Sequence, residues 1–485
     1  MDETLQCDLV IVGAGYAGIN ALNSAAYYLP KGARVVVIAK EHRWGGQWLD
    51  AYEYVRLHQP HVVFTVGNRP WKLKRDPSYR ATRDEIVSHL QCCAEECVEE
   101  NKIDLIKLFG YTYRLFDDDS DGVLSIKALP TSGGGGDIQL YPKRLIVATG
   151  NNITLNKALK WKNPKNSIHS LGPADVLNAK SVFHMRFGEG TKDKPIFIIG
   201  NGKTALDVMN ALLSNIPGVS SRLRCVTGRG MNFLVREECN NSTWWIPLLE
   251  MFNGTNEQEC LTMMRRTGKM HSIVDDPVSF FNAYSSREEI QNVRKALGAE
   301  SEGRLIRGHL IIEEDGSVAI NHENPALQIR PLDKTVAPYT LPIPKGSYII
   351  NCTDQIDLLQ QVQNRGLLSH NSRVCYANPC FGQSGISANM ITHLFMLGIL
   401  EDALPNIPRI EYSDNKGRNG VLSMFIIVCG LVMVQGLLPK EVKKLFSPPP
   451  PIDPPKPGDR ELLRNAMPRL MEKMYKLMPS RFTKL

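Results

Sequence analysis

Apolar residues in this chain come in short unbroken runs, and the runs are spaced by glycine-rich turns and amphipathic stretches. The first run, Cys7–Val12, is followed by the glycine-dense Gly13–Gly18, then by Ile19–Tyr28 with helical character, then by a second apolar run, Arg34–Ile38. Continuous apolar stretches of this length predict strands buried on both faces, as in a parallel sheet. Together they make one strand–helix–strand unit. A loop-rich stretch extends from there to about residue 80. Beyond it, Arg83–Glu100 predicts a helix, and Asp104–Leu108, Val123–Ala128 and Arg144–Ala148 predict strands, with a glycine-rich hairpin at 131–137. The pattern then restarts: strand Pro195–Ile199, turn Gly200–Ala205, helix Leu206–Leu213, strand Arg222–Thr227. Segment 230–340 mixes helical and hairpin-like pieces. Ser347–Asn351 predicts one more buried strand and Ile386–Leu400 a helix.

After residue 415 the character changes. Val421–Leu438 is apolar apart from Ser423, Gly430, Gln435 and Gly436, and Lys440, Lys443 and Lys444 come directly after it. Its 18 residues sit at the lower edge of the roughly 17–25 that span a bilayer. The alternative is a hydrophobic tail packed on the body. A proline-rich stretch at 447–459 is too dense in proline for helix or sheet and predicts a semi-rigid linker. Residues 460–485 carry seven Lys or Arg against two Glu, with Leu463, Met467, Leu470, Met474 and Met478 at three- and four-residue spacing. That is the pattern of a basic amphipathic helix, suited to an anionic membrane surface.

Composition adds limits. At 485 residues, 43% hydrophobic and 22% charged, the chain predicts two or three globular domains rather than disorder. The net charge of +7 is weighted to the tail, and no basic run interleaved with aromatics occurs in the body, which argues against nucleic-acid binding. Eleven cysteines are an odd number without C-x-x-C spacing, which excludes a fully paired disulfide framework and predicts a reducing compartment. Cys92, Cys93 and Cys97 lie together in a helical stretch and are read as ordinary reduced thiols; no metal site is expected. The N-terminus lacks the basic and apolar regions of a secretory leader, so a cytoplasmic protein, or one on the cytosolic face of a membrane, is expected.

The chemistry lies in the turns. In Gly13-Ala14-Gly15-Tyr16-Ala17-Gly18 the first glycine permits a tight turn. The second lets a pyrophosphate approach the backbone, and the third lets helix and sheet pack closely. The pyrophosphate would sit on the helix N-terminus, where free N–H groups favour negative charge. The acidic residue usual at the end of the next strand is replaced by Ala39, leaving Glu41 as the candidate ribose partner. The second loop, Gly200-Asn201-Gly202-Lys203-Thr204-Ala205, has the same form with alanine as third small residue, and Arg229 comes after its second strand. A basic residue there suits a ribose 2′-phosphate, favouring NADP over NAD, with Lys203 as a second candidate. The fold class expected is therefore α/β, with two Rossmann-like dinucleotide-binding domains and a C-terminal hydrophobic and basic tail. Residues 1–189 and 341–414 would form the FAD-binding domain, 190–340 an inserted NADP-binding domain with a substrate-side insertion, and 415–485 the tail.

These motifs, with Trp44-Gly45-Gly46-Gln47-Trp48, Arg56-Leu57-His58-Gln59-Pro60, Ala148-Thr149-Gly150-Asn151 and Phe381-Gly382-Gln383-Ser384-Gly385, make residues 5–400 resemble the flavin-containing monooxygenases and other class B flavoprotein monooxygenases. The resemblance implies that NADPH reduces FAD, that molecular oxygen adds to the flavin as a C4a-hydroperoxide, and that a small nucleophilic or carbonyl substrate is oxygenated. It places Gly45, Gly46, Gln47, Trp48, Thr149, Gly150, Gly382 and Ser384 around FAD, His169 at NADP, and His58 and Gln59 near the flavin's reacting edge. The family's F-x-G-x-x-x-H fingerprint is reduced here to His169-Ser170. Two other functions fit the same cofactors: a membrane-associated flavin dehydrogenase reducing a quinone, and a non-catalytic flavin-binding regulatory or scaffold protein.

Overall fold

The computed structural model describes residues 3–118, 123–132, 135–150, 158–159, 168–178, 193–228, 230–239, 257–299, 302–312, 318–321, 340–353, 367–369, 372–377, 384–404, 407 and 436–446, with scattered positions between 461 and 472. The fold is α/β. Its first six strands are β1 (Glu3–Val12), β2 (Arg34–Ala39), β3 (Asp104–Phe109), β4 (Tyr111–Asp118), β5 (Val123–Pro130) and β6 (Ile138–Val147). They lie in the order β3-β2-β1-β6-β5-β4. β3, β2, β1 and β6 run parallel, and β5 and β4 complete the sheet as antiparallel hairpin strands.

Along the rest of the chain come β7 (His169–Leu171), β8 (Ile196–Ile199) and β9 (Leu223–Val226); a small sheet of β10 (Met231–Val235), β11 (Met270–His271) and β12 (Ser279–Ser285); then β13 (Leu305–Ile306). A second small sheet holds β14 (His309–Ile312), β15 (Val318–Asn321) and β16 (Thr340–Pro342), and β17 (Tyr348–Asn351) and β18 (Val374–Tyr376) finish the series. β18 returns to pair with β6 of the first sheet. Strands β13-β9-β8-β17-β7 form a second, wholly parallel sheet. Two of its strands, β7 and β17, lie outside the 190–340 insertion expected from the sequence. The chain adds the strand β7 before that insertion and the strand β17 after it, so the second sheet is wider than the pattern of 190–340 suggests.

Alternation of side chains along a strand explains why these runs are apolar throughout. Leu9 and Ile11 enter one buried cluster, with helices α1 (Tyr16–Ala26) and α2 (Arg83–Asn101), while Val10 and Val12 enter another on the opposite face. In β8, Ile196 and Ile198 face one cluster and Phe197 and Ile199 the other. Both sheets are thus covered on both faces, as the parallel arrangement requires. α2 starts at a reciprocal cap, with Thr82 and Glu85 each bonding the other's backbone N–H, the arrangement that satisfies two orphan donors at a helix start. The helices expected at Ile19 and Leu206 begin three residues earlier, α1 at Tyr16 and α3 (Lys203–Asn215) at Lys203. The last residues of each glycine motif therefore form the first helical turn.

α1 also anchors the loop region up to residue 80. The buried Asn20 side chain accepts from the Gly67 N–H at 2.9 Å and from Asn389 Nδ2 at 3.3 Å, tying that loop to α1 and to the later helix that starts at Ser384 (Ser384–Met396). Trp71 Nε1 donates to the Phe64 carbonyl at 2.7 Å within the same loop.

Candidate functional site

The first glycine loop joins β1 to α1. Gly13 has φ +121°, and its N–H donates to the Ile38 carbonyl at 2.8 Å. A Cβ there would overlap the Ala148 carbonyl oxygen, and one on Gly18 would overlap that of Gly13. Gly15 is the extended N-cap of α1; no side chain caps the helix, and no acidic residue occupies its first turn. The Gly45-Gly46 segment docks directly on this loop. The Gly45 N–H donates to the Ala14 carbonyl at 2.9 Å, and a Cβ on Gly46 would come within 2.6 Å of Gly15 Cα. Around this contact lie aromatic rings: buried Tyr16 stacks on Phe64 at 3.9 Å, and Trp48 meets Phe64 edge-on at 6.0 Å. Gln47 is exposed, Thr149 is exposed and Gly150 is buried just after β6. Glu41 is half-buried, with Lys40 Nζ 3.8 Å from its carboxylate.

The second loop repeats the construction. Gly200 has φ +106°, donates its N–H to the Val226 carbonyl at 2.9 Å, and would place a Cβ 3.0 Å from the Cys352 carbonyl oxygen. Gly202 is an extended N-cap without a capping side chain, the first turn of α3 is free of acidic residues, and Ala205 is fully buried where the first loop has Gly18. Asn201 is buried, and neither end of its amide has a partner among the described residues. A buried amide without partners carries a free-energy cost, so it marks a place where a ligand's polar groups fit. Trp44 Nε1, buried beside the first loop, is likewise unpartnered among the described residues. Two uncapped helix N-termini, each behind a backbone stripped of side chains, fit the diphosphates of two dinucleotides.

Beside the second loop lies a cluster of charges. The Lys203 ammonium is buried and paired with Asp207 in the same helix and, at 3.5 Å, with Glu289. Glu289 also receives Arg80 at 3.0 Å and Arg236 at 2.7 Å. It is the N3 residue of α4 (Arg287–Leu297), capped reciprocally with Ser286. Burial opposes its ionisation, but Lys203, Arg236 and Arg80 outweigh that and hold its carboxyl well below the usual range. The expected pair His58–Gln59 lies beside this cluster. The His58 carbonyl accepts from Arg236 Nε at 2.7 Å, and burial, then Lys203 and Arg236, push its imidazole down to about 3. Tyr52 donates to Asp207 at 2.9 Å and Tyr54 to the Pro173 carbonyl at 2.8 Å. The segment carrying His58 is therefore held against the second unit by side chains from both.

The sequence pattern offers Lys203 to a ribose phosphate; the structure turns its ammonium to two carboxylates instead. His169 lies on β7, its ring stacked on Tyr348 at 5.0 Å. Ser384 opens its helix. Arg229 and Gly382 lie outside the described residues, as does Asn151. Arg80, Arg236 and Glu289 carry no signal as partners in the sequence. Ser286-x-x-Glu289 is legible as a helix start, but nothing local joins it to Lys203. The thiols of Cys93 and Cys97 are buried and pushed up, to about 12 and about 11, as inert cysteines behave.

No family model matches the chain. Uncharacterized proteins of Mycobacterium tuberculosis and Mycobacterium bovis are 26% identical over 227 residues, a stretch covering 44% of this chain and 37% of theirs. The match thus spans less than half the length of these curated relatives. Among solved structures, cyclohexanone monooxygenase with bound cyclohexanone aligns over 85% of this chain and 90% of its own, with a TM-score of 0.49 and 11% identity. A cadaverine monooxygenase of Erwinia amylovora aligns over 90% and 96% (TM-score 0.45, 12% identity), and a bacillithiol disulfide reductase of Staphylococcus aureus over 83% and 99% (0.45, 10%). At those scores the likenesses decide nothing about the reaction.

Proposed function

We propose that the chain is an FAD- and NADPH-dependent monooxygenase acting on a small nucleophilic or carbonyl substrate. The observation that carries this reading is the shared construction of the two glycine loops, each after a strand with parallel neighbours, with the His58–Gln59 segment tied to the charge cluster beside the second loop. Bound FAD would supply hydride acceptance and oxygen activation. Gly13, Gly15 and the N-terminus of α1 would hold its diphosphate. Gly45 and Gly46 lie against that loop, and Tyr16, Phe64 and Trp48 form an apolar wall beside it that excludes water.

The second loop would hold the nicotinamide dinucleotide through Gly200, Asn201, Gly202 and the N-terminus of α3. Lys203, Arg236 and Arg80 meet Glu289 and Asp207, three cations against two carboxylates. The excess positive charge near that loop favours an anionic ligand. His58, pushed down to about 3, is neutral at physiological pH. It therefore serves as a hydrogen-bonding group, not as a proton donor that is charged at rest. The Gly-Gly-Gln-Trp and Arg-Leu-His-Gln-Pro elements favour oxygenation over simple dehydrogenation.

The test is spectroscopic. The purified protein, loaded with FAD, is reduced anaerobically with NADPH and then exposed to oxygen. A long-lived transient distinct from oxidised and reduced flavin supports the monooxygenase. Immediate return to oxidised flavin, with turnover of a quinone, supports the dehydrogenase, and failure to bind flavin supports the scaffold.

A further inference from the structure

A cavity of about 150 Å³ lies at the end of α1 away from the first glycine loop. Asn23 and Tyr27, the C-cap of α1, stand four residues apart, and so do Asn389 and His393 on the helix Ser384–Met396. That spacing puts each pair on one face of its helix, and both pairs line the cavity. Asn101, the last residue of α2, and the turn Gly67-Asn68-Arg69 add to the wall, with Leu445 from the C-terminal segment. Tyr27 and Asn68 are exposed while Asn389 and His393 are buried, so the cavity leads inward from the surface. Tyr27 is twelve residues beyond Gly15, about 18 Å along the helix axis, which sets this cavity apart from the first loop.

Four side-chain amides line this space, and the formal charges beside them are already matched. Arg69 donates its Nε to Asn23 Oδ1 at 2.7 Å, and its terminal nitrogens lie 2.6 Å from Glu100 and 3.6 Å from Glu96. Lys72 also pairs with Glu96, so two cations meet two carboxylates. His393 Nδ1 shares a hydrogen bond with the Tyr28 hydroxyl at 2.8 Å, and burial pushes its imidazole down to about 4, which leaves it neutral at pH 7. Gly67, at φ +56°, lets the amides close over the turn: a Cβ there would come within 2.5 Å of Asn23 Nδ2 and 3.5 Å of Asn389 Nδ2. Asn389 is only 3% exposed, and its side-chain oxygen has no partner among the described residues. A buried acceptor left without a donor is costly, and the adjoining cavity is where a ligand's donor fits.

We propose that this cavity is a binding site for a small uncharged carboxamide, with the Asn389 side-chain oxygen accepting an N–H of the ligand. The size suits a molecule no larger than benzene, which an apolar cavity of about 150 Å³ takes up. The chemistry differs because the wall is made of amides. An anion finds Arg69 committed to Asn23 and two glutamates, and an ammonium finds those glutamates already paired. An apolar molecule would take water from the amides and return no hydrogen bond. A carboxamide carries a donor beside an acceptor, as each asparagine of the wall does.

Ligand-observed NMR titration of the full chain with propionamide, propionate and propylammonium tests this, because the three probes share a size and differ in charge. The expected result is binding of propionamide at least about fivefold tighter than either ion, unchanged when FAD or NADP⁺ is added. Asn389→Leu, which keeps the volume and removes the amide, should weaken propionamide by about fivefold or more, as loss of a hydrogen bond does. If that variant does not fold, Asn101→Leu in the half-buried wall decides in the same way. A wild-type protein that binds none of the three overturns the proposal, since the cavity then holds water alone. Binding of either ion as tightly as the amide overturns the ligand class. Propionamide binding that is indifferent to the substitution, or that FAD or NADP⁺ displaces, belongs to another site and overturns the proposal as well.

Discussion

Gly18 and Ala205 occupy the same place in the two loops, yet only one of them tolerates a side chain. A methyl on Gly18 would overlap the Gly13 carbonyl oxygen, and neither partner is a flexible side chain. Ala205 is fully buried in a core of branched aliphatic residues, so the helix of the second loop stands where a methyl fits. Gly18→Ala should therefore cost about 1–3 kcal/mol and, on the proposed reading of the first loop, weaken retention of added FAD. Ala205→Gly should cost only the helix-propensity difference, about 1 kcal/mol, plus the small packing loss of one methyl. Thermal denaturation of the two variants, with the flavin released on dilution, checks both. Equal losses would mean that the Gly13 carbonyl does not bar a methyl at position 18. At this scale the sequence is most informative. The roles of Gly13, Gly15 and Gly18 are legible in the spacing of the motif, although the groups that Gly13 and Gly15 make room for, Ala148 and Gly46, lie far along the chain. The destination of Lys203 is illegible, because one of its partners, Glu289, is 86 positions away.

Among the elements, α4 shows how much of the site depends on tertiary contact. Its start is written in Ser286-x-x-Glu289, but the same carboxylate also neutralises three cations from other parts of the chain. Replacing it by glutamine keeps much of the cap and leaves Lys203 and Arg236 buried, with Asp207 as the acid that remains in the cluster. Breaking a buried ion pair from one side costs about 3–5 kcal/mol, so Glu289→Gln should destabilise by that order at pH 7. The sign with pH comes from the direction of the shift. The folded carboxyl titrates below its ordinary value of 4.5, so its contribution is fully present above that pH and is lost as acid protonates the folded form. The gap between wild type and variant should accordingly be constant from pH 7 to about 5 and narrow below 4.5, as urea denaturation at a series of pH values would show. A gap that widened in acid would mean Glu289 is not held ionised by its neighbours. The strands are easier to read than this helix. Short, mostly apolar runs with a glycine close to one end mark β1, β2, β8, β9 and β17. β4 is not legible in the same way: Gly110 marks a turn before it, but Tyr111–Asp118 mixes aromatic, aliphatic and charged residues and forms no apolar run.

At the scale of the whole molecule, the open question from the sequence is where the apolar segment 421–438 goes. Residues 421–435 lie outside the described residues, and no described helix is long and apolar enough to cross a membrane. The end of the segment does have a place. Leu438 and Val442 are buried in the cluster that holds α1, α2 and the helix from Ser384, and Leu437 packs against it. Lys443 Nζ reaches back to the Gly436 carbonyl at 3.2 Å, closing the turn between them. The hydropathy pattern does not separate a docked end from a free anchor, because both need the same residues; only the partners distinguish them. A docked end predicts a folding role. Truncating a buried leucine costs about 2–5 kcal/mol, so Leu438→Ala with Val442→Ala should lower the midpoint of unfolding clearly, in detergent-free solution and without any lipid present. Lys440→Gln with Lys444→Gln, which changes the charge of the same stretch at exposed positions, should leave that midpoint nearly unchanged while reducing any binding to anionic vesicles. If the apolar pair could be truncated without loss of stability, the packing of Leu438 and Val442 would contribute nothing to the fold. The segment would then be free to serve as an anchor, with the lysines as its interfacial flank.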